Sequence, residues 1–297
     1  MTDVSTAVAA SRTSTAPAHV GVLGGGRMGA GIAHAFALAG SRVTVVERDA
    51  ASADAAAARI RESLRRSVER GTTDRSAGEL EAAVETATDA AAFAGCDLVV
   101  EAVPEDTALK REALARVEAA LRPDAVLASN TSSIPIDDLA GALARPGRFL
   151  GLHFFNPVPA SLLVEIVVGD DTDPAIADEA RAWVAAIGKT PVVVRDSPGF
   201  ASSRLGVALG LEAIRMLEEG VATAADIDAA MELGYRHPTG PLRTTDIVGL
   251  DVRLGIAEEL HAKLGDRFEP PALLRRMVAE GRLGRKSGRG FYEWSDE

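Results

Sequence analysis

The chain has 297 residues, 47% of them hydrophobic, enough for one large domain or two ordinary ones with a sizeable core. Its net charge of -11 excludes nucleic acid as a general partner, because phosphate binding needs a basic face, and an anionic substrate would need locally clustered Arg. A single cysteine, Cys96, excludes an intramolecular disulfide and a thiolate metal cluster, and no apolar run approaches the roughly 20 residues that span a bilayer, so a soluble, cytoplasmic chain without membrane or metal is expected.

Residues 1–18, rich in Ser, Thr and Ala, have no apolar periodicity and are expected to form a disordered tail. From His19 to about Glu101, apolar runs alternate with amphipathic helical stretches, the pattern of a parallel sheet covered on both faces. The first strand, His19 to Leu23, runs into Gly24-Gly25-Gly26-Arg27-Met28-Gly29, a GxGxxG at the mouth of a helix that ends near Gly40. Such a turn suits a dinucleotide pyrophosphate: Gly24 turns sharply, Gly26 lets backbone reach the phosphates, and Gly29 lets helix pack on sheet, with Arg27 and Met28 at the helix start. The second strand, Arg42 to Glu47, ends in a carboxylate placed to accept from adenosine ribose hydroxyls, favouring NAD over NADP; the adjacent Arg48 and a plain solvated role for Glu47 are the competing readings.

A helix from Ala51 to Arg70 sorts its side chains, with Arg59, Ser63, Arg66 and Arg70 on one face and Ile60, Leu64 and Val68 on another. Further strands are expected at Leu98 to Val103, Val126 to Ser129, Phe149 to Phe154, Leu163 to Val168 and Pro191 to Val194, with helices at Thr107 to Leu121, Ile136 to Ala144 and Pro174 to Ile187. After Asp196-Ser197-Pro198-Gly199 the alternation stops and helices follow at Phe200 to Glu219, Ala224 to Leu233, Pro241 to Leu264 and Pro270 to Glu280. The expectation is an α/β fold: an N-terminal Rossmann-type, doubly wound sheet over residues 19–198, then an all-helical C-terminal domain over 199–297 for substrate and dimerisation.

One short stretch concentrates chemistry: His153-Phe154-Phe155-Asn156-Pro157-Val158-Pro159, with Glu165 twelve residues after the histidine. His153 ends an apolar strand at the carboxyl edge, where open α/β sheets place ligands. Its imidazole can take a hydroxyl proton as hydride leaves the same carbon, and a carboxylate can hold the required tautomer. The spacing does not show that His153 and Glu165 touch, and Glu165 also reads as an exposed charge on an alternating strand.

The blocks Gly24 to Ala33, Val100 to Val103, Ser129-Asn130-Thr131-Ser132-Ser133, His153 to Pro159, Asp196 to Phe200 and Gly284 to Tyr292 resemble, in order, the short-chain L-3-hydroxyacyl-CoA dehydrogenases, including the 3-hydroxybutyryl-CoA dehydrogenases. The resemblance implies His153 as general base, Glu165 as its orienting partner and Ser132 as a hydrogen-bonding group at the reacting oxygen. It implies Asn130 and Asn156 near the nicotinamide, Glu105 and Lys110 near the cofactor, Ser63 and Arg70 toward the CoA, and a homodimer built on the C-terminal helices. Where many members read GFxxNR, this chain has Ser203 in place of the substrate-contacting Asn, and Leu242 to Asp246 also departs from the expected run. These departures keep open the same chemistry on an acyl-carrier-protein thioester or a free hydroxy or sugar acid. A non-catalytic NAD-binding protein is the reading from another class.

Overall fold

A computed structural model describes residues 16–294, so most of the expected tail lies outside the described residues. Within that expected tail, the carbonyls of Pro17 and Ala18 accept from Ser41 Oγ and Arg42 N. The chain divides into two compact units between Asp196 and Ser197.

The first unit holds one eight-stranded sheet: β1 (His19–Leu23), β2 (Arg42–Val46), β3 (Val84–Ala87), β4 (Leu98–Glu101), β5 (Val126–Ser129), β6 (Phe149–Phe154), β7 (Leu163–Val168) and β8 (Thr190–Arg195). Their order across the sheet is β3-β2-β1-β4-β5-β6-β7-β8. Every residue of β4, β5 and β6 is buried, which explains their near-continuous apolar sequence: strands covered on both faces have no solvent side to alternate toward. Helices α1 (Arg27–Leu38) and α2 (Ala50–Glu69) add Ile32, Phe36, Ile60 and Leu64 to the core they share with β1 and β2. Helices α3 (Ala77–Ala82), α4 (Thr107–Ala120), α5 (Ile136–Ala140) and α6 (Pro174–Ala186) complete the unit.

The sheet is not wholly parallel. β6 and β7 pair antiparallel, so β7 and β8 run against the other six strands. Only residues 155–162 separate β6 from β7, and that segment is too short for the crossover that parallel neighbours require.

The second unit packs α7 (Ser202–Glu218), α8 (Ala224–Tyr235), α9 (Pro241–Val248), α10 (Leu250–Leu264) and α11 (Ala272–Ala279) around Val207, Leu211, Ile214, Leu242, Leu260 and Met277. The single helix expected from Pro241 to Leu264 is two, because Gly249 adopts φ +106° and ends one helix while starting the next. The helix expected from Phe200 starts at Ser202, after Gly199 and Phe200 both take positive φ. Among the described residues no helix is long and apolar enough to cross a membrane.

Candidate active site

The glycine turn fits a dinucleotide on steric grounds. Gly24 sits at φ +92°, a side chain on Gly29 would collide with the Gly24 carbonyl, and a Cβ on Gly26 would meet nothing within 4 Å. Backbone is therefore open to a ligand where α1 begins, and the partial positive charge of a helix N-terminus favours phosphate there. Glu47 Oε1 accepts from Gly25 N at 2.7 Å, and Arg59 donates to Gly25 O at 2.5 Å, so two side chains fix the turn from either side. Gly24, Gly26, Arg27, Met28 and Glu47 line one cavity of about 970 Å³, whose opposite wall includes Val103, Pro104 and Leu109. Its size and mixed apolar and polar walls suit an NAD molecule.

Next to that cavity, the end of β4 anchors a buried ionic cluster. Lys110, 1% exposed on α4, donates to Glu101 Oε1 at 2.7 Å and to Val103 O at 3.1 Å. Ser129 Oγ donates to the other Glu101 oxygen at 2.6 Å. Lys110 also lies 3.3 Å from Glu105, whose second oxygen accepts from Thr131 Oγ1 at 2.7 Å and from the N–H groups of Ser132 and Ser133 at 2.8 and 3.1 Å. Burial alone would raise the Glu105 pKa, but the Lys110 ammonium and these donors hold it below the usual carboxylate range. Glu105 thus shapes the turn carrying Ser132, whose hydroxyl lies 3.2 Å from it. Lys110 was expected near the cofactor; it sits inside this cluster, with its charge matched by Glu101 and Glu105.

His153 and Glu165 face each other directly across the antiparallel β6–β7 ladder. Opposed residues in such a ladder project from the same face of the sheet, and His153 Nδ1 lies 2.7 Å from Glu165 Oε2. Both side chains are buried, at 6% and 1% exposure, so their interaction is little screened by water. Phe155 lies against the imidazole with ring centroids 4.3 Å apart. Asn130 Oδ1 accepts from Phe154 N at 2.8 Å and ties the end of β5 to the backbone beside the histidine. The exposed Asn156 follows in the turn, before Pro157, to which it is joined by a cis peptide bond.

The remaining expected residues are more dispersed. Ser63 is half-buried on α2 and Arg70 exposed at the cap that follows its last residue; on the same helix, Arg59 is committed to the glycine turn and Arg66 pairs with Glu62 at 2.8 Å. Ser203 is half-buried in the first turn of α7, in the helical unit. Two contributors went unnoticed in the sequence. Glu101, within the quoted Val100 to Val103 block, is the buried counter-charge of Lys110. Lys189, just before β8, donates to the carbonyls of Val158 and Ser161 at 2.6 and 2.5 Å and fastens the turn after His153; a lone Lys before a strand gives no sequence signal of that role.

The chain is similar to known proteins along nearly all of its described length. The family model for the 3-hydroxyacyl-CoA dehydrogenase NAD binding domain matches residues 19–197, and that for the family's C-terminal domain matches 199–294. A 3-hydroxybutyryl-CoA dehydrogenase of Mycobacterium tuberculosis is 46% identical over 95% of this chain and 100% of its own length. One from Bradyrhizobium diazoefficiens is 42% identical over 93% of this chain and 94% of its own. The crystal structure of (S)-3-hydroxybutyryl-CoA dehydrogenase from Ralstonia eutropha superposes with a TM-score of 0.90 at 37% identity, covering 95% of this chain and all of that one. With a glycine turn built for NAD and both domain models matched in order, the chain belongs to the 3-hydroxyacyl-CoA dehydrogenase family.

Proposed function

We propose that this protein catalyses the reversible oxidation of a short-chain L-3-hydroxyacyl-CoA to its 3-oxoacyl thioester. The observation that supports this most directly is the buried His153–Glu165 pair on adjacent strands. Bound NAD supplies the hydride acceptor. His153 accepts the hydroxyl proton at Nε2, since Nδ1 is turned to Glu165, and the carboxylate stabilises the imidazolium as it forms. The Ser132 hydroxyl, held in place by the Glu105 turn, hydrogen-bonds the oxygen that becomes a carbonyl. Asn130 and Asn156 flank the nicotinamide, Glu47 takes the adenosine ribose, and Ser203 contacts the substrate. Ser63 and Arg70 face the CoA. The names of the relatives in M. tuberculosis and B. diazoefficiens favour the CoA-linked, four-carbon reading.

The reading also includes a homodimer, supported by Leu205, Leu233 and Tyr235, large apolar side chains left exposed on the helical unit. Sedimentation gives the oligomeric state directly, and a monomer at assay concentration would remove this part.

His153→Ala should lower kcat by about 10²- to 10⁴-fold while NAD affinity, measured by calorimetry, stays within a small factor. Near-normal turnover would eliminate His153 as the base. Matched hydroxybutyryl thioesters of CoA and acyl carrier protein, assayed with the wild type, separate the two carriers: a higher kcat/KM on the carrier-protein thioester would replace CoA in this reading.

A further inference from the structure

Lys189 commits a buried charge to backbone. It is the residue before β8, and β8 runs parallel to β7 with Thr190 beside Leu163, so it stands where the 155–162 segment between β6 and β7 ends. The residue is 9% exposed, and its Nζ donates to Val158 O at 2.6 Å and to Ser161 O at 2.5 Å. Burial lowers its pKa. Lys110, also buried, has two carboxylates beside it, whereas Lys189 turns its ammonium to two carbonyls of one loop.

Those carbonyls need a donor from outside the segment. Inside it, Pro157 O accepts from Ala160 N and Ser161 N at 3.0 Å each, a single turn that uses neither the Val158 nor the Ser161 carbonyl. An ammonium carries three donors and can meet both at once. From the other side the loop rests on α1: Val158 is 2% exposed, and a Cβ on Gly31 would lie 2.7 Å from its Cβ, closer than two carbons can pack. The base of the loop is thus held by two elements, and the half-buried Phe155 and the exposed Asn156 extend from it.

The β6–β7 ladder by itself sets His153 against Glu165. It does not reach Phe155, whose ring centroid lies 4.3 Å from that of the imidazole, or Asn156. Lys189 is absent from the walls of the cavity at the glycine turn and borders a separate cleft with His34 and Pro159, so any effect on the reaction runs through the loop. We propose that Lys189 is a positioning residue of the dehydrogenase: by holding the Val158 and Ser161 carbonyls it places Phe155 against His153 and Asn156 against the nicotinamide, and so governs the rate of hydride transfer. The inference rests on the proposed dehydrogenase reading, in which Asn156 flanks the nicotinamide. A shift of about 1 Å at a reacting centre can slow the chemical step about 100-fold.

The test is a single turnover of 3-hydroxybutyryl-CoA, with hydrogen or deuterium on the hydroxyl-bearing carbon, in the full-length wild type, Lys189→Met and Lys189→Arg. Enzyme and NAD are in saturating excess over the thioester, which makes the rate constant of NADH formation independent of any unfolded fraction. In Lys189→Met it should fall about 10- to 100-fold and be slowed further by deuterium. NAD affinity, measured by calorimetry, should stay unchanged, because the glycine turn and Glu47 are untouched. Lys189→Arg keeps the charge and the donors and should recover part of the rate. An unchanged rate constant in Lys189→Met overturns the inference, as does a loss that deuterium does not deepen or one that follows weakened NAD binding. Should that variant fail to fold, Gly31→Ala carries the test: its Cβ displaces Val158 from the α1 side, and an unchanged rate constant there overturns the inference too. A wild type that forms no NADH defeats the dehydrogenase reading itself, whereas wild-type turnover with unaffected variants defeats only this inference.

Discussion

Lys110 is 1% exposed, with Glu101 and Glu105 at 2.7 and 3.3 Å from its ammonium. Replacing it with methionine would leave the Glu101 carboxylate buried with Ser129 and the Val103 amide but no cation. Lys110→Met should therefore destabilise the fold by about 3–5 kcal/mol, measured by urea unfolding with NAD absent. A loss below 1 kcal/mol would show that Glu101 does not depend on Lys110. The same residues mark how far single positions could be read from the sequence. His153 stands out by residue type and position, whereas Glu165 and Ser132 stand out through the motifs that carry the family resemblance. That His153 and Glu165 meet is a fact of strand pairing, and that Lys110 faces inward on α4 is a fact of tertiary packing. Neither follows from local composition.

Gly249 separates two helices where the sequence reads as one helical stretch, Pro241 to Leu264. Its N–H donates to Thr245 O at 2.9 Å, closing α9, while its φ of +106° turns the chain into α10. Side-chain-bearing residues pay strain in that region, and an added Cβ would sit 3.0 Å from Asp251 and 3.4 Å from Lys286. Gly249→Ala should cost about 1–3 kcal/mol, visible as a lowered Tm. An unchanged Tm would mean that the two helices can merge into the single one expected from the sequence. Short segments were harder to read for another reason. β3 has four residues and pairs only with β2, at the sheet edge, so its burial is partial and its apolar signal weak. The helix before it, α3, did leave a trace: Ser76 and Glu79 form a capping box, the S-x-x-E spacing that marks a helix start. The buried central strands β4 to β6 were legible because no solvent-facing residue interrupts them.

At the level of the folded chain, stability should depend on pH through His34. This residue of α1 is 3% exposed, its Nε2 lies 2.8 Å from Ser67 Oγ on α2, and burial followed by the nearby Lys189 charge lowers its pKa to about 4. Above pH 6.5 the imidazole is neutral in both folded and unfolded chains and contributes nothing. As pH falls from about 6.5 to about 4, the unfolded chain takes a proton that the folded chain refuses, so stability drops, by about 3 kcal/mol once both are protonated. Urea unfolding at pH 7 and pH 5 should show a wild-type loss about 2 kcal/mol larger than that of His34→Gln. Equal losses would remove His34 as the source.

The reversal between β6 and β7 has a wider effect on where reactive groups can come from. In a fully parallel sheet, the rim beside the bound dinucleotide collects only residues from strand ends. Here β7 begins where β6 finishes, so Glu165, the third residue of its strand, stands opposite His153, the fifth of its own. A one-residue slip in that pairing would put the acid and the imidazole on opposite faces. Length changes in the connecting segment 155–162 leave the facing intact as long as the ladder keeps its register. The hairpin therefore lets the His153–Glu165 pairing be preserved while the segment that joins the two strands is free to diversify.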